Sequence, residues 1–506
     1  MAISFESFAQ SRRASIVAIE MAGKKKSVGG DFIPEKVVIV GQYDSAKTGV
    51  TVGEIWQGFT ADDFGNRYGF GSEIHRQAIQ ILAALGGFSS NVSACPVAPP
   101  TGSPTAGTTT LTYVGAATTA GTQYIAIAGD LYQISVSSGM TAVQQAAALV
   151  AAITADINAA ITAAVGGTGS EHIVTLTSKT ANANANEIRV VQNPGGVTQV
   201  NANPSGTSIT IASEYLTGGS GNPVTTTVFT TSGGADNLGD TWYTFITCPY
   251  TDSTNLATYK AAAVARADPA VKRPFGYVAG YVKKTYAEAY ALPAATNSKF
   301  CAPVWEVRSL DPAPELAAAT IGAVAYESTI DPGRPFKTVA LPTLCLQTRN
   351  LSYNEVDALF IAGMGYFKLG ADGVLRLGDL ALSYRTAPSG ATTAEWFDLV
   401  SLTRRQEKIY SIDQLFNSEP YTRAIAGSDD MVTAKDYVIK PKKIIADLRE
   451  KVDFWASQGW TKNPGTVKDS ITAEINALFE GRMDAYLLDD EAQALRIIGI
   501  KYAFLY

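Results

Sequence analysis

The chain has 506 residues, 46% of them hydrophobic and only 17% charged, with a formal net charge of −6. This length accommodates about three domains of ordinary size, each with a sizeable core. The acidic balance excludes the basic footprint needed to neutralise nucleic-acid phosphates, and the sparse charge suggests that much of the surface is covered by something else. Cys95, Cys248, Cys301 and Cys345 show no C-x-x-C spacing and read as buried, reduced thiols of a protein assembled in a cytoplasm. The opening MAISFESFAQSRR lacks the basic, apolar, small-residue order of a signal peptide. The longest weakly polar stretch, Thr141 to Ala164, is interrupted by Gln144, Gln145, Asp156 and Asn158, so no membrane insertion is expected.

Residues 1–32 read as an arm. The β-prone run Ser15, Ile16, Val17, Ala18, Ile19, Glu20 precedes the flexible segment Gly23 to Gly30, whose Lys24-Lys25-Lys26 reads as a solvated linker. A lone strand needs a sheet edge, in its own chain or another. Lys36 to Gly41 is a continuous apolar run of the buried parallel type. A helix follows from an N-cap at Ser72, with Ile74, Ala78, Ile81, Leu82 and Leu85 on one stripe and Gly86-Gly87 as its stop.

From Pro99 to about Gly234 the chain turns rich in Thr, Ala, Gly, Ser and Asn. Alternation predicts strands at Tyr124–Ala128, Leu131–Val136, His172–Thr177, Glu187–Val191 and Ser208–Ala212. Between them lies a helix opened by a Thr141/Gln144 capping box, with Val143, Val150, Ile153, Ile157 and Ile161 as its apolar stripe. Alternating strands and helices then resume, with strands at Trp242–Cys248, Pro274–Tyr281 and Phe300–Val307. The accompanying helices are at Ser253–Ala267, near Tyr286–Ala291 and from Pro312 to about Tyr326. This order predicts a layered, mostly parallel α/β domain interrupted by an inserted one. Beyond Lys337, a hairpin is expected over Phe367–Leu377, turning at Ala371-Asp372-Gly373. A helix over Pro441–Gln458 carries Ile444, Ile445, Leu448, Val452 and Trp455 on one face, and an extra helix is expected around Ser470 to Gly481. Leu495 to Tyr506 is β-prone, and a terminal segment of that kind frays unless it is tied into a sheet.

Catalytic chemistry finds little support. His75 falls on the Ser72 helix and His172 opens a strand; neither has a second His at i+4 or a nearby Cys, and both read as packing or surface residues. Gly69-Phe70-Gly71 lacks the third glycine and preceding strand of a phosphate loop and reads as the entry to a helix. The acidic pairs Asp62-Asp63, Asp429-Asp430 and Asp489-Asp490 read as solvated caps. No catalytic residue, no cofactor and no metal ligand is assigned.

The short segments, taken in order, resemble those of the tail sheath proteins of contractile, Mu-like phages. They are Lys36 to Gly41 after the arm strand, Trp242 to Cys248 running into Pro249-Tyr250-Thr251-Asp252 and Asn255-Leu256, Arg273 to Tyr277, and Ala302 to Glu306. Asp331-Pro332-Gly333-Arg334-Pro335-Phe336 resembles the family's DPARP-type link, and Asp372 to Leu377, Ser383 to Thr386 and Leu495 to Phe504 follow it. Lys24-Lys25-Lys26 and the extra helix near Ser470 depart from the pattern.

The resemblance implies an α/β and α+β multidomain chain. An N-terminal arm (1–32) precedes a discontinuous, subtilisin-like layered α/β domain (33–96 and 237–336), with an inserted β-rich α+β domain (97–236) on the outer surface. A mixed C-terminal sheath domain (337–494) and a C-terminal β-arm (495–506) complete it. It implies a virion tail protein, assembled in the host cytoplasm, whose partners are itself, as stacked hexameric rings, the tail tube protein, and baseplate and tail terminator proteins. Strand addition between subunits is assigned to Ser15, Ile16, Val17, Ala18 and Ile19 and to Arg496, Ile497, Ile498, Ile500 and Tyr502. Tube contact is assigned to Lys442, Lys443 and Arg449. The alternatives are the sheath of a related bacteriocin or secretion machine, a serine hydrolase on the subtilisin-like domain, and a secreted adhesin.

Overall fold

Six consecutive buried residues make Val37–Gln42 (β1) a strand that must be covered on both faces and paired on both edges. In the computed structural model, which describes residues 32–87, 89–195 and 202–503, both requirements are met. Strand β2 (Trp56–Gly58), helices α1 (Ala61–Tyr68) and α2 (Glu73–Ala84) and strand β3 (Val92–Val97) follow. Ser72 caps α2 as read from the sequence, accepting from the His75 amide.

Next come β4 (Thr108–Val114), β5 (Gly121–Ile127), β6 (Asp130–Val136), α3 (Ala142–Ala155), β7 (Ile161–Val165), β8 (Ile173–Ser178), β9 (Val190–Gln192) and β10 (Ser208–Ile211). They form two antiparallel sheets, ordered β10-β4-β8-β7 and β6-β5-β9, around a core drawn wholly from residues between Leu111 and Leu216. The Thr141/Gln144 capping box is present. Of the expected stripe of α3, only Ile153 lies on the buried face. Val143 and Ile157 are exposed, Ile161 opens β7, and the inner face is Gln145, Ala146, Leu149 and Ile153. Leu149 and Ile153 face inward with Gln145 and Ala146, whereas Ala147, Ala151 and Ala155 are exposed, so the buried face is rotated from the expected one.

The chain then returns through α4 (Thr226–Phe229), β11 (Phe245–Cys248), α5 (Ser253–Arg266), β12 (Gly276–Tyr281), α6 (Tyr286–Thr296), β13 (Cys301–Trp305) and α7 (Ala313–Ile330). The main sheet is ordered β13-β12-β11-β1-β3-β2, parallel except for β2. Helices α2 and α7 pack on one another and on β1, β11 and β12. At their crossing a Cβ on Gly322 would lie 2.8 Å from the Ile81 backbone, so only glycine permits this approach. All four cysteines are buried and free.

Helix α8 (Tyr353–Ala362), strands β14 (Phe367–Leu369) and β15 (Leu375–Leu377) and helix α9 (Leu399–Phe416) follow, the two strands pairing as the expected hairpin. The link motif is fixed at both ends. Asp331 Oδ1 accepts from Gly333 N and Trp460 Nε1, and Thr403 Oγ1 donates to the Pro332 carbonyl.

The described chain divides into two units. The first holds residues 33–410, 458–463 and 489–503; the second holds 411–457 and 464–488. The second contains β16 (Ile425–Ala426), β17 (Val438–Ile439), α10 (Pro441–Ser457), α11 (Pro464–Asp469) and the antiparallel hairpin β18 (Thr472–Ile475) and β19 (Met483–Tyr486). Helix α10 buries Ile444, Leu448, Val452 and Trp455 as the sequence pattern requires. The helix expected around Ser470 to Gly481 is instead this hairpin. Asn476 accepts from the amides of Leu478 and Phe479, an Asx turn that competes with helix.

Candidate assembly surface

The C-terminal segment enters the first unit at Asp489 and runs antiparallel to α9. Near its start, Asp489 pairs with Lys408 and accepts from Thr461 Oγ1 at 2.9 Å. It is therefore a partly buried ion-pair partner, not the solvated cap expected from sequence. Glu491 faces Arg405 at 2.9 Å, Lys408 at 3.6 Å and Arg404 at 3.7 Å. Burial alone would raise the Glu491 carboxyl, but the Arg405 bond and the three cations outweigh it and hold it below the usual range. Backbone bonds reinforce the track, with Ala492 N donating to Trp460 O and Arg404 Nη1 donating to Ala492 O.

Near α9's first turn, Arg496 turns inward and bonds Asp398, with Asp379 3.6 Å away. Its guanidinium lies 4.9 Å from the Phe360 ring centroid and 5.7 Å from that of Phe397. Asp398 also accepts from the Ser401 amide at the start of α9, and its carboxyl is held low against the opposing effect of burial. The remaining side chains are turned outward: Leu495, Ile497, Ile498, Ile500 and Tyr502 are 70–84% exposed. Residues 492–503 belong to none of the sheets. A row of apolar, β-prone side chains at this exposure needs a cover. The arm residues Ser15 to Ile19 lie outside the described residues.

The α10 residues assigned to the tube differ from one another. Lys443 is paired with Asp447 at 2.5 Å, and Arg449 bonds Lys468 O at 3.2 Å with Asp469 4.0 Å away. Lys442 is exposed, and no ion pair to it is found among the described residues. Within the second unit, two of the three cations are already partly neutralised.

A buried polar seam ties the 111–216 core to the main sheet. Arg76 on α2 grips Glu315 of α7 in a two-bond fork (3.1 and 2.8 Å) and Asp130 of β6 in another (3.0 and 2.7 Å), and donates to Ala128 O at 2.7 Å. Burial would lower its pKa, but the Glu315 and Asp130 charges more than offset that. Beside it Gln80 donates to Asp311, whose carboxyl is pushed well up by burial and by the Glu315 charge. Arg189 donates to the carbonyls of Val307 and Ser309, and Asn182 and Asn184 both reach Glu73. Sequence reading missed these partners, because they are separated by up to 239 residues.

His75 is fully buried, accepts from Gly71 N at Nδ1, and is pushed down to about 4 by burial and by the nearby Arg76 charge. It is a packing residue. Before β8, the His172 carbonyl accepts from Tyr113 N. Among the described residues no cluster of His, Cys, Asp or Glu could hold a metal, and no helix is long and apolar enough to cross a membrane.

No family model matches the chain. A curated relative does, and its class is that of the tail sheath proteins of Mu-like phages, the same resemblance that the sequence segments carry. The relative is the Mu-like prophage FluMu tail sheath protein of Haemophilus influenzae, 25% identical over 454 residues, covering 88% of each chain. Among solved structures, a sheath tail protein from Desulfitobacterium hafniense overlaps 94% of this chain and 100% of its own, at 11% identity and a TM-score of 0.47. The contracted helical sheath of the anti-feeding prophage overlaps 97% and 99%, also at 11% and 0.47.

Proposed function

We propose that this chain is the repeating structural subunit of a contractile tail sheath, stacked as hexameric rings around a tail tube and shortening to drive that tube through a host envelope. The observation that carries the reading is the alignment with a tail sheath protein along 88% of both chains; a shared single domain would not extend so far. The work is done by repacking from a metastable extended form, not by catalysis, and the protein functions in the virion tail after assembly in the host cytoplasm.

The parallel main sheet with α2 and α7 supports the reading of a layered, subtilisin-like body over 33–96 and 237–336. The separate core between Leu111 and Leu216 supports an insertion over 97–236 facing outward, followed by a C-terminal sheath domain over 337–494. Deleting that insertion would remove Arg189 with it and leave Arg76 paired to Glu315, while taking away Asp130 and the Ala128 carbonyl. The exposed apolar row from Ile497 to Tyr502 supports donation of this segment to a neighbouring copy, and the β-prone Ser15 to Ile19 suits the same role at the other end. The exposed Lys442 supports an approach of α10 to an acidic tube surface. Negative-stain microscopy of the purified full chain should show tubes of uniform width. Deletion of residues 497–506, or of 1–22, should leave folded subunits that form none. Ordered sheaths of normal length from either truncated chain would refute strand donation at that end, and dispersed particles alone from the full chain under all assembly conditions would refute the sheath reading.

A further inference from the structure

We infer that Asp489 to Arg496 is a fixed strap and that Arg496 is the positioning residue from which the apolar C-terminal segment is aimed at a second copy of the chain. The inference rests on the proposed donation of that segment. Up to Arg496 the charged side chains turn back onto their own chain. Asp489 and Glu491 meet Lys408, Arg405 and Arg404 at one end, and Arg496 meets Asp398 and Asp379 at the other. Beyond it Ile497, Ile498 and Ile500 face outward. The ten residues 497–506, fully extended, span at most about 35 Å. Releasing the strap would add eight more residues of reach and remove any fixed direction. A strand leaving from a fixed point gives up less conformational freedom when it pairs, so the latch preorganises assembly. Arginine suits this position because one planar group can face two carboxylates while stacking near two rings, which a lysine cannot do.

All four native cysteines are buried, so a nitroxide on the exposed Gln493→Cys reports strap motion selectively in the full-length subunit. The label should be restricted in the parent and become mobile in Arg496→Gln and, independently, in Glu491→Gln. The same two substitutions should raise the critical concentration for polymerisation about tenfold, with Arg496→Lys intermediate. Using two sites keeps the test open if one variant folds poorly. A label that stays restricted in both variants overturns the inference, as does a mobile label with an unchanged critical concentration. If deletion of 497–506 blocks polymerisation while Arg496→Gln assembles as the parent does, strand donation stands and the latch falls. If that deletion polymerises normally, both fall.

Discussion

Arg76→Met would test the seam directly. Methionine keeps much of the side-chain volume but removes every polar bond of the guanidinium, leaving Glu315, with a side chain 6% exposed, and Asp130 without their cation. Breaking a buried pair by removing one partner costs about 3–5 kcal/mol. At about 2.1 cal/mol/K per residue, a unit of roughly 400 residues has an unfolding entropy near 0.8 kcal/mol/K, so Tm should fall by about 4–6 °C at pH 7.5. The pH dependence follows from the sign of the shifts. Burial already raises the Glu315 and Asp130 carboxyls, and Arg76 opposes that rise. Without Arg76 both rise further, so the folded variant takes up protons more readily than the parent, and its deficit should shrink as the pH falls toward 5. Differential scanning calorimetry of both proteins across pH 5–7.5 measures this. A deficit below about 1 kcal/mol, or one equally large at pH 5 and 7.5, would refute the view that Arg76 neutralises buried charge.

His75 is depressed to about 4, so its contribution is present above its unfolded pKa and is lost as the pH falls from about 6.5 to 4; His75→Leu should flatten that acid-side slope in the same calorimetry. Gly322→Ala places a Cβ 2.8 Å from the Ile81 backbone and should cost about 1–3 kcal/mol in denaturant titration. Gly333→Ala drives a Cβ to 2.2 Å from the Trp460 ring, and a smaller residue at 460 should recover part of the loss in the double variant. If α10 meets an acidic tube, reversing the charge of Lys442 and Lys443 together should weaken co-sedimentation with tubes most at low salt, and reversing Lys443 alone should weaken it too, since it turns the neutral pair with Asp447 into two adjacent negative charges.

Where the signal was local, it was legible. The buried strand at Val37, the caps at Ser72 and Thr141, the hairpin around Asp372-Gly373 and the inner face of α10 follow from periodicity and turn chemistry alone. Strands β4 and β7 escaped notice because threonine and alanine alternate there with little contrast in hydropathy. The hairpin at Thr472 was misread because four-residue strands carry too few periods to outweigh a helix-compatible composition. The strap was hidden for a different reason. Arg404, Arg405 and Lys408 look like a solvated helix face until Glu491, over 80 residues away, is brought beside them.

The placing of β1 between β3 and β11 also sets a timetable for synthesis. Val40 N donates to Thr247 Oγ1 across 207 residues, so one edge of a wholly buried strand waits for its partner until the intervening chain has been made. At about 5–20 residues per second that wait lasts roughly 10–40 s. The core between Leu111 and Leu216 draws on no residue outside its own stretch and can close during the interval. It would then bring the two halves of the sheet together as a folded spacer, whose entropic cost of closure is smaller than that of a loose loop of the same length.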